Sequence, residues 1–303
     1  MKRLFLAVLC SMALAITPIH LTRAEEAVET TKETTSITDQ AVALYDAGDY
    51  DNAVPLLQEA ADQGDPVAQN KLGNCYTYGW GVEQDYEEAL KWYHLAADQG
   101  YPNSLTNLGY CYYYGDIVQQ DYEEAVKYFQ LAADQGFAEA QDHLGLCYDY
   151  GYGVDQDYEK ASEYYQLAAD QGLADAQYNL GSMYYHGLGV EQDYQKAMEL
   201  YQLAADQGDA LAINDIGWAY YNGEGVEQDY DLAVKYFKEA AEHENRYALF
   251  NLGMCYQDGT GVEKDIEKAA ELYQRALDYG YEPTEEEKPR LEEVLGNTTL
   301  SNP

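Results

Sequence analysis

Sixteen residues recur almost unchanged every 36 positions. "DYEEALKWYHLAADQG" begins at Asp85, "DYEEAVKYFQLAADQG" at Asp121 and "DYEKASEYYQLAADQG" at Asp157. The closing glycine marks the period: Gly64, Gly100, Gly136, Gly172 and Gly208 lie 36 apart, Glu244 replaces it once, and Gly280 resumes the series. A second column holds Gly73, Gly109, Gly145, Gly181, Gly217 and Gly253. A third holds Tyr76, Tyr112, Tyr148, Tyr184, Tyr220 and Tyr256, and a fourth runs in alanine from Ala53 to Ala269. Such a chain grows along one axis, each unit touching its neighbours, so 303 residues do not demand several separate cores.

Each unit reads as helix, loop, helix. Ala68, Leu72, Cys75, Tyr76 and Gly79 fall at i, i+4, i+7, i+8 and i+11, one face of a first helix. A glycine such as Gly73 inside it costs about 1 kcal/mol relative to alanine, so its recurrence predicts close approach of another backbone. Loops "GWGV", "GYGV", "GLGV", "GEGV" and "GTGV" follow, and one unit departs with "GDIV" from Gly115. Paired glycines suit the positive φ beyond a helix end. Asp85, Asp121, Asp157, Asp193, Asp229 and Asp265 then read as N-caps of a second helix, with Glu88 and Glu124 completing a capping box. That helix carries aromatic pairs such as Trp92-Tyr93 and Tyr128-Phe129, expected to pack sideways and into the next unit. Asp98, Asp134, Asp170 and Asp206 sit at its C-terminal end, against the helix dipole, and are expected to reach the following helix. One hairpin cannot bury its own aromatic face, whereas stacked hairpins bury them all through repeated interfaces. The sequence therefore predicts an all-α fold, a solenoid of stacked helix-loop-helix units.

The string "AxxxLGxxYxxGxGVxxDxxxAxxWYxxAAxxG", as it stands from Ala68 to Gly100, resembles the Sel-one-like repeat family, a relative of the tetratricopeptide repeat. The resemblance covers six units over about residues 65–280 and implies a right-handed α-solenoid whose first helices line the concave face. Residues 39–64 have a shorter turn and read as a tetratricopeptide-like first repeat. Residues 281–303, with "PTEEEKPRLEEVLG", read as the polar C-terminal capping helix and tail that a terminal repeat needs.

Residues 1–24 have the form of a signal peptide: Lys2 and Arg3, an apolar stretch from Leu4 to Ile16 too short to span a membrane, then small residues up to Ala24. Residues 25–38 are polar and rich in threonine and glutamate, a flexible linker. The mature protein is expected to be exported, periplasmic or secreted, without membrane insertion. Losing the leader removes three basic residues and no acids, taking the net charge from −38 to −41. Such a surface repels nucleic acid and anionic lipid and favours cationic partners. Cys75, Cys111, Cys147 and Cys255 occupy one structural column. Equivalent positions in stacked helices lie about 8–10 Å apart or more, beyond the ~7 Å reach of a disulfide. They therefore read as small core residues.

The chain lacks HExxH, GxSxG, CxxC and Ser-x-x-Lys, and His94, His143, His186 and His243 fall in four different columns. Cysteine-rich relatives of the family it resembles, described as binding or hydrolysing β-lactams, carry a disulfide pair in each repeat; this chain has at most one cysteine per repeat. The glycine loops lead into acids with no Lys or Arg placed to help, which argues against phosphate. "GVDQDYE" gathers Asp155, Asp157 and Glu159 but lacks the ordered ligand set of a calcium loop, and capping accounts for Asp157. The reading is no enzyme, no cofactor and no metal. The alternatives are a β-lactam or cell-wall hydrolase and a carbohydrate- or cation-binding envelope protein.

Columns that hold one residue type serve the fold, and columns that vary are free for a ligand. On the first helix the varying inward columns are those of residues 67, 70, 74, 77 and 78. They supply the candidate groove: Tyr110, Tyr113, Tyr114, Asp142, Asp149, Tyr178, Tyr185, Trp218, Tyr221 and Phe250. Tyrosine and tryptophan are large, stiff and amphipathic, the residues that dominate binding surfaces. An aromatic, acidic groove suits a protein or peptide segment with basic and apolar side chains, and its rings also suit sugar stacking. Beside it runs a column of Asn107, Asn179 and Asn251, with His143 and Asp215, read either as hydrogen-bonding a peptide backbone or as tying adjacent units together. The expected function is an exported scaffold or adaptor.

Overall fold

The computed structural model describes residues 36–296; among them are fifteen α-helices and no strand. The expected leader and all but the last residues of the expected linker lie outside the described residues. A short hairpin opens the array, α1 (Ile37–Asp46) with α2 (Tyr50–Asp62), so helix begins two residues inside the expected linker. Six longer hairpins follow: α3 (Pro66–Tyr78) with α4 (Tyr86–Ala97), α5 (Pro102–Tyr114) with α6 (Tyr122–Ala133), and α7 (Ala138–Tyr150) with α8 (Tyr158–Ala169). Then come α9 (Ala174–His186) with α10 (Tyr194–Ala205), α11 (Ala210–Asn222) with α12 (Tyr230–Glu242), and α13 (Arg246–Asp258) with α14 (Ile266–Asp278). A last helix, α15 (Lys288–Leu295), caps the end by burying Leu291 against the final hairpin. Each helix packs on the next in sequence, and the core is a chain of apolar clusters along the array.

The mid-helix glycines are explained by rings rather than by backbone. A Cβ at Gly145 or Gly253 would lie 2.7 Å from the ring of Tyr165 or Tyr273, on the second helix of the same hairpin. Gly73, Gly109, Gly181 and Gly217 face Tyr93, Phe129, Tyr201 and Phe237 in the same way. These six rings are at most 3 % exposed. One ring seated on one glycine closes each hairpin, and burying that ring contributes about 2–3 kcal/mol. The tyrosine column stacks instead on the first member of the aromatic pair: Tyr112 on Tyr128, Tyr148 on Tyr164 and Tyr220 on Tyr236, each at 5.7 Å and nearly parallel.

The second loop glycine makes the seam between units. A Cβ at Gly81 or Gly225 would stand 2.7 Å from the carbonyl oxygen of Tyr50 or Tyr194, the first residue of the preceding unit's second helix. Gly153, Gly189 and Gly261 sit as tightly on Tyr122, Tyr158 and Tyr230. Ile117 takes this place in the "GDIV" unit and packs with Val118 beside Leu108 and Cys111.

The six aspartates cap the second helices, each side chain accepting a backbone N–H two or three residues on at 2.9–3.1 Å. The expected capping box is not completed. The N–H of Asp85 and of Asp121 already donates to the carbonyl of Tyr76 and of Tyr112 at 2.9 Å, so Glu88 and Glu124 turn to Lys91 and Lys127. Nor do three of the C-terminal aspartates reach the following helix. Asp134, Asp170 and Asp206 accept the side-chain amide of the glutamine four residues earlier at 2.6–2.7 Å. The glutamine that follows them ties its own hairpin, with Gln99, Gln171 and Gln207 donating to Gln69, Gln141 and Gln177 on the first helix of the same unit at 2.7–2.9 Å, and Gln135 and Gln207 also cross the seam to the Gly100 and Gly172 carbonyls of the preceding unit at 3.0 Å. The four cysteines are free and buried, as core residues.

Candidate functional site

The first helices present a common face, and its curvature gathers residues from distant units. Tyr150 at the end of α7 and Tyr281 beyond α14 wall the same cleft, of about 590 Å³. Between them lie Tyr178 of α9, Leu211, Asp215 and Trp218 of α11, and Arg246, Tyr247 and Asn251 of α13. A second cleft of about 520 Å³ opens further towards the N-terminus, lined among others by Tyr78, Tyr86, Tyr110, Tyr114 and Asp116.

Asp215 is the anion of the larger cleft. Its carboxylate accepts the Asn214 amide at 2.9 Å and the Tyr178 hydroxyl, yet burial pushes its pKa up to about 6. At neutral pH it is charged and poorly hydrated, which favours an incoming cation. The one cation on the cleft wall, Arg246, is already engaged: it donates to the Gly280 carbonyl at 3.2 Å and the Tyr247 hydroxyl at 3.0 Å.

The asparagine column ties units together. Asn107 donates to Asn70 at 3.0 Å, Asn179 to Asp142 at 3.0 Å, and Asn251 to Asn214 at 3.0 Å, each from one first helix to the one before. Asp142 is therefore a rung of this ladder, 2 % exposed, with its pKa pushed up to about 6 by burial. The neighbouring His143 has its pKa lowered, chiefly by burial, and its ring meets that of Tyr110 at 4.6 Å.

The residues singled out in the sequence thus separate. Tyr178 and Trp218 share the larger cleft, and Tyr110 and Tyr114 the smaller. Tyr113 lies among Tyr122, Phe129 and Tyr152. Tyr185 donates to Glu224, and Tyr221 stacks on Trp218 at 5.5 Å. Asp149, half-buried, accepts from the hydroxyl of Tyr165 at 3.3 Å, and burial raises its pKa. Asp142 and Phe250 lie beneath the surface; Phe250 is 4 % exposed and stacked on Tyr281 at 4.5 Å. Arg246 and Tyr281 escaped the sequence reading. Arg246 had a visible signal, since the positions 36 apart before it hold only Pro or Ala: Pro66, Pro102, Ala138, Ala174 and Ala210. Among the described residues no three His, Cys, Asp or Glu side chains converge as a metal site, and no helix is long and apolar enough to cross a membrane.

The Sel1 repeat model matches residues 44–65, 66–101, 102–137, 138–173, 174–209, 210–245 and 246–281. A Sel1 repeat protein from Oxalobacter formigenes is similar in structure, at 32% identity and a TM-score of 0.76, over 82% of this chain and 99% of that one. A protective antigen of uropathogenic Escherichia coli strains displaying an SLR fold is similar at 32% identity and a TM-score of 0.70, over 80% of this chain. This chain spans about half of that antigen, 51% of its length. No curated protein matches the sequence. With seven matched repeats and the hairpin array they encode, the chain belongs to the Sel1 repeat family.

Proposed function

We propose that this protein is an exported, non-catalytic scaffold that holds segments of other proteins on its concave face. The observation that carries the reading is the larger cleft, where Tyr178, Trp218, Tyr247 and Tyr281 surround the half-buried carboxylate of Asp215. Stiff amphipathic rings provide contact area at low entropic cost, and the anionic floor selects for basic side chains beside apolar ones. A net charge of −38 disfavours nucleic acid and draws in cationic partners. The assignment as a non-enzyme has chemical support. The strongest nucleophiles among the described residues, the four thiols, are buried with pKa values pushed up to about 11 or 12, so they stay protonated at neutral pH. Export rests on the leader over residues 1–24.

The test is a selection from a random-peptide library on the folded protein in near-physiological salt, where a strongly acidic chain collects fewer basic peptides by charge alone. Enriched peptides should carry Lys or Arg next to aromatic or aliphatic residues. Tyr178→Ala/Trp218→Ala should weaken them about tenfold or more, as expected when hot-spot rings are removed. Equal binding by the variant rejects the cleft as the site.

A further inference from the structure

In two units an aromatic residue of the loop is clamped between two tyrosines. Trp80 stacks on Tyr50 at 4.8 Å and on Tyr78 at 4.6 Å, with interplanar angles of 12° and 27°. Tyr152, 72 residues on, stacks on Tyr122 at 4.7 Å and on Tyr150 at 5.6 Å, with angles of 14° and 15°. One tyrosine opens the preceding unit's second helix and the other ends the unit's own first helix. The unit between them keeps both clamping residues at the same period, Tyr86 and Tyr114. The position of the clamped ring holds Asp116, and Ile117 replaces the glycine that seats the other loops on the preceding unit. The slot is consequently open. Tyr86 is 42 % exposed, whereas its clamped counterparts Tyr50 and Tyr122 are partly covered, and together with Tyr114, which leans on Tyr113 at 4.9 Å, and Asp116 it lines the smaller cleft of about 520 Å³.

We propose that this slot is a binding site for a planar cation, the guanidinium of an arginine side chain on a partner. The clamps around Trp80 and Tyr152 establish that two tyrosines at these positions accept a flat group between them. The exchange of a ring for Asp116 adds a carboxylate to that slot. A guanidinium satisfies both features, since it stacks on aromatic faces and pairs with a carboxylate through a fork of N–H donors. Lysine fits less well, because its ammonium is a compact point charge without a flat face. The surrounding net charge of −38 adds to the attraction for a cation. The identification of the partner as a protein segment rests on the scaffold reading above; the site's preference for a guanidinium stands on the slot itself.

The experiment is an NMR titration of the full protein with N-acetyl-argininamide, its neutral citrulline counterpart and N-acetyl-tyrosinamide in near-physiological salt. The arginine compound should bind with shifts centred on Tyr86 and Tyr114, and the citrulline compound at least about tenfold more weakly, because a charge-assisted pair becomes neutral. Asp116→Asn should weaken the arginine compound by a similar factor. Asp116→Tyr/Ile117→Gly restores the clamped ring and its glycine, and should abolish binding while raising Tm. If that variant does not fold, Asp116→Asn and Tyr86→Ala carry the test. Undiminished binding to the ring-restored variant, equal binding of the citrulline compound, preference for the tyrosine compound, or no binding at all overturns the proposal. Peptide binding lost only on Tyr178→Ala/Trp218→Ala with no arginine bound at the slot refutes this inference alone. Arginine bound at the slot with no peptide selected by the larger cleft refutes the scaffold reading alone.

Discussion

Replacing Gly217 with alanine sets two effects of opposite sign against each other. On helix propensity alone the change stabilises, because glycine inside a helix costs about 1 kcal/mol relative to alanine. The structure reverses the sign. A Cβ at Gly217 would stand 2.8 Å from both Cδ1 and Cε1 of Phe237, and 3.2 Å from the Ala233 carbonyl oxygen. Carbon atoms prefer about 3.5–4.0 Å, so the ring must retreat by about 0.7 Å or more. Phe237 is 0 % exposed and packed on all sides, so it has nowhere to go. Overpacking of this kind costs about 1–3 kcal/mol, which against the helix gain of about 1 kcal/mol leaves an expected net destabilisation of up to about 2 kcal/mol for Gly217→Ala. Urea unfolding followed by circular dichroism measures it. The decisive comparison is made in a Phe237→Leu background, where the smaller side chain relieves the contact. There Gly217→Ala should be neutral or stabilising, giving a coupling of about 1–3 kcal/mol between the two positions, the overpacking cost itself. A stabilising Gly217→Ala in the parent protein, or additive effects of the two changes, refutes the argument that a ring rather than the helix sets this column.

Asp142→Asn should stabilise at pH 7 by at most about 3 kcal/mol, the worth of holding a buried carboxyl with its pKa near 6 instead of its ordinary 3.8. The sign follows from the raised value: the folded state binds that proton more tightly, so its contribution is present below pH 4 and lost as pH rises through 6. The advantage of asparagine should therefore vanish in melts at pH 4; an equal gain at both pH values contradicts it. The four thiols should react with a thiol reagent only on unfolding, as burial predicts, and rapid labelling of folded protein would show the column to be accessible. Asp157→Ala removes the cap on the Lys160 N–H and should cost about 1 kcal/mol in urea midpoint free energy, whereas Asp157→Asn should cost little.

Much of the fold was legible because each seam is written several times. One tyrosine in isolation says little, but Tyr112, Tyr148 and Tyr220 at one period mark a contact that every unit repeats. What could not be read is which side of a recurring residue does the touching. Gly217 and its equivalents announced a close approach without revealing that the partner is a ring. Glu88 matched a capping box, but the carbonyl of Tyr76 that takes the Asp85 N–H comes from a helix turn nine residues before Asp85 and is visible only in three dimensions. The groove was legible by column and not by residue. Asp142 and Phe250 share a period with Tyr178 yet lie deeper, because the same position is a rung of the asparagine ladder in one unit and a cleft wall in another.

The two clefts also show where such a chain can differ from its own repeat. Residue types that hold neighbouring units together recur at every interface, so a change in one of them costs its seam a contact that the other seams keep. Departures that persist must either cost little or do something. The loop that carries Asp116 and Ile117 breaks a glycine pattern kept by five other loops, and the result is an open slot between two exposed tyrosines. Arg246 breaks a column otherwise filled by Pro or Ala, and it stands on the wall of the larger cleft. Neither departure repairs a defect in packing: Ile117 joins a core that other units complete without it, and Arg246 bonds a carbonyl and a hydroxyl on the surface. In a solenoid of near-identical units, the positions that break the period are therefore the ones to read for recognition, and here both of them fall on the cleft walls of one face.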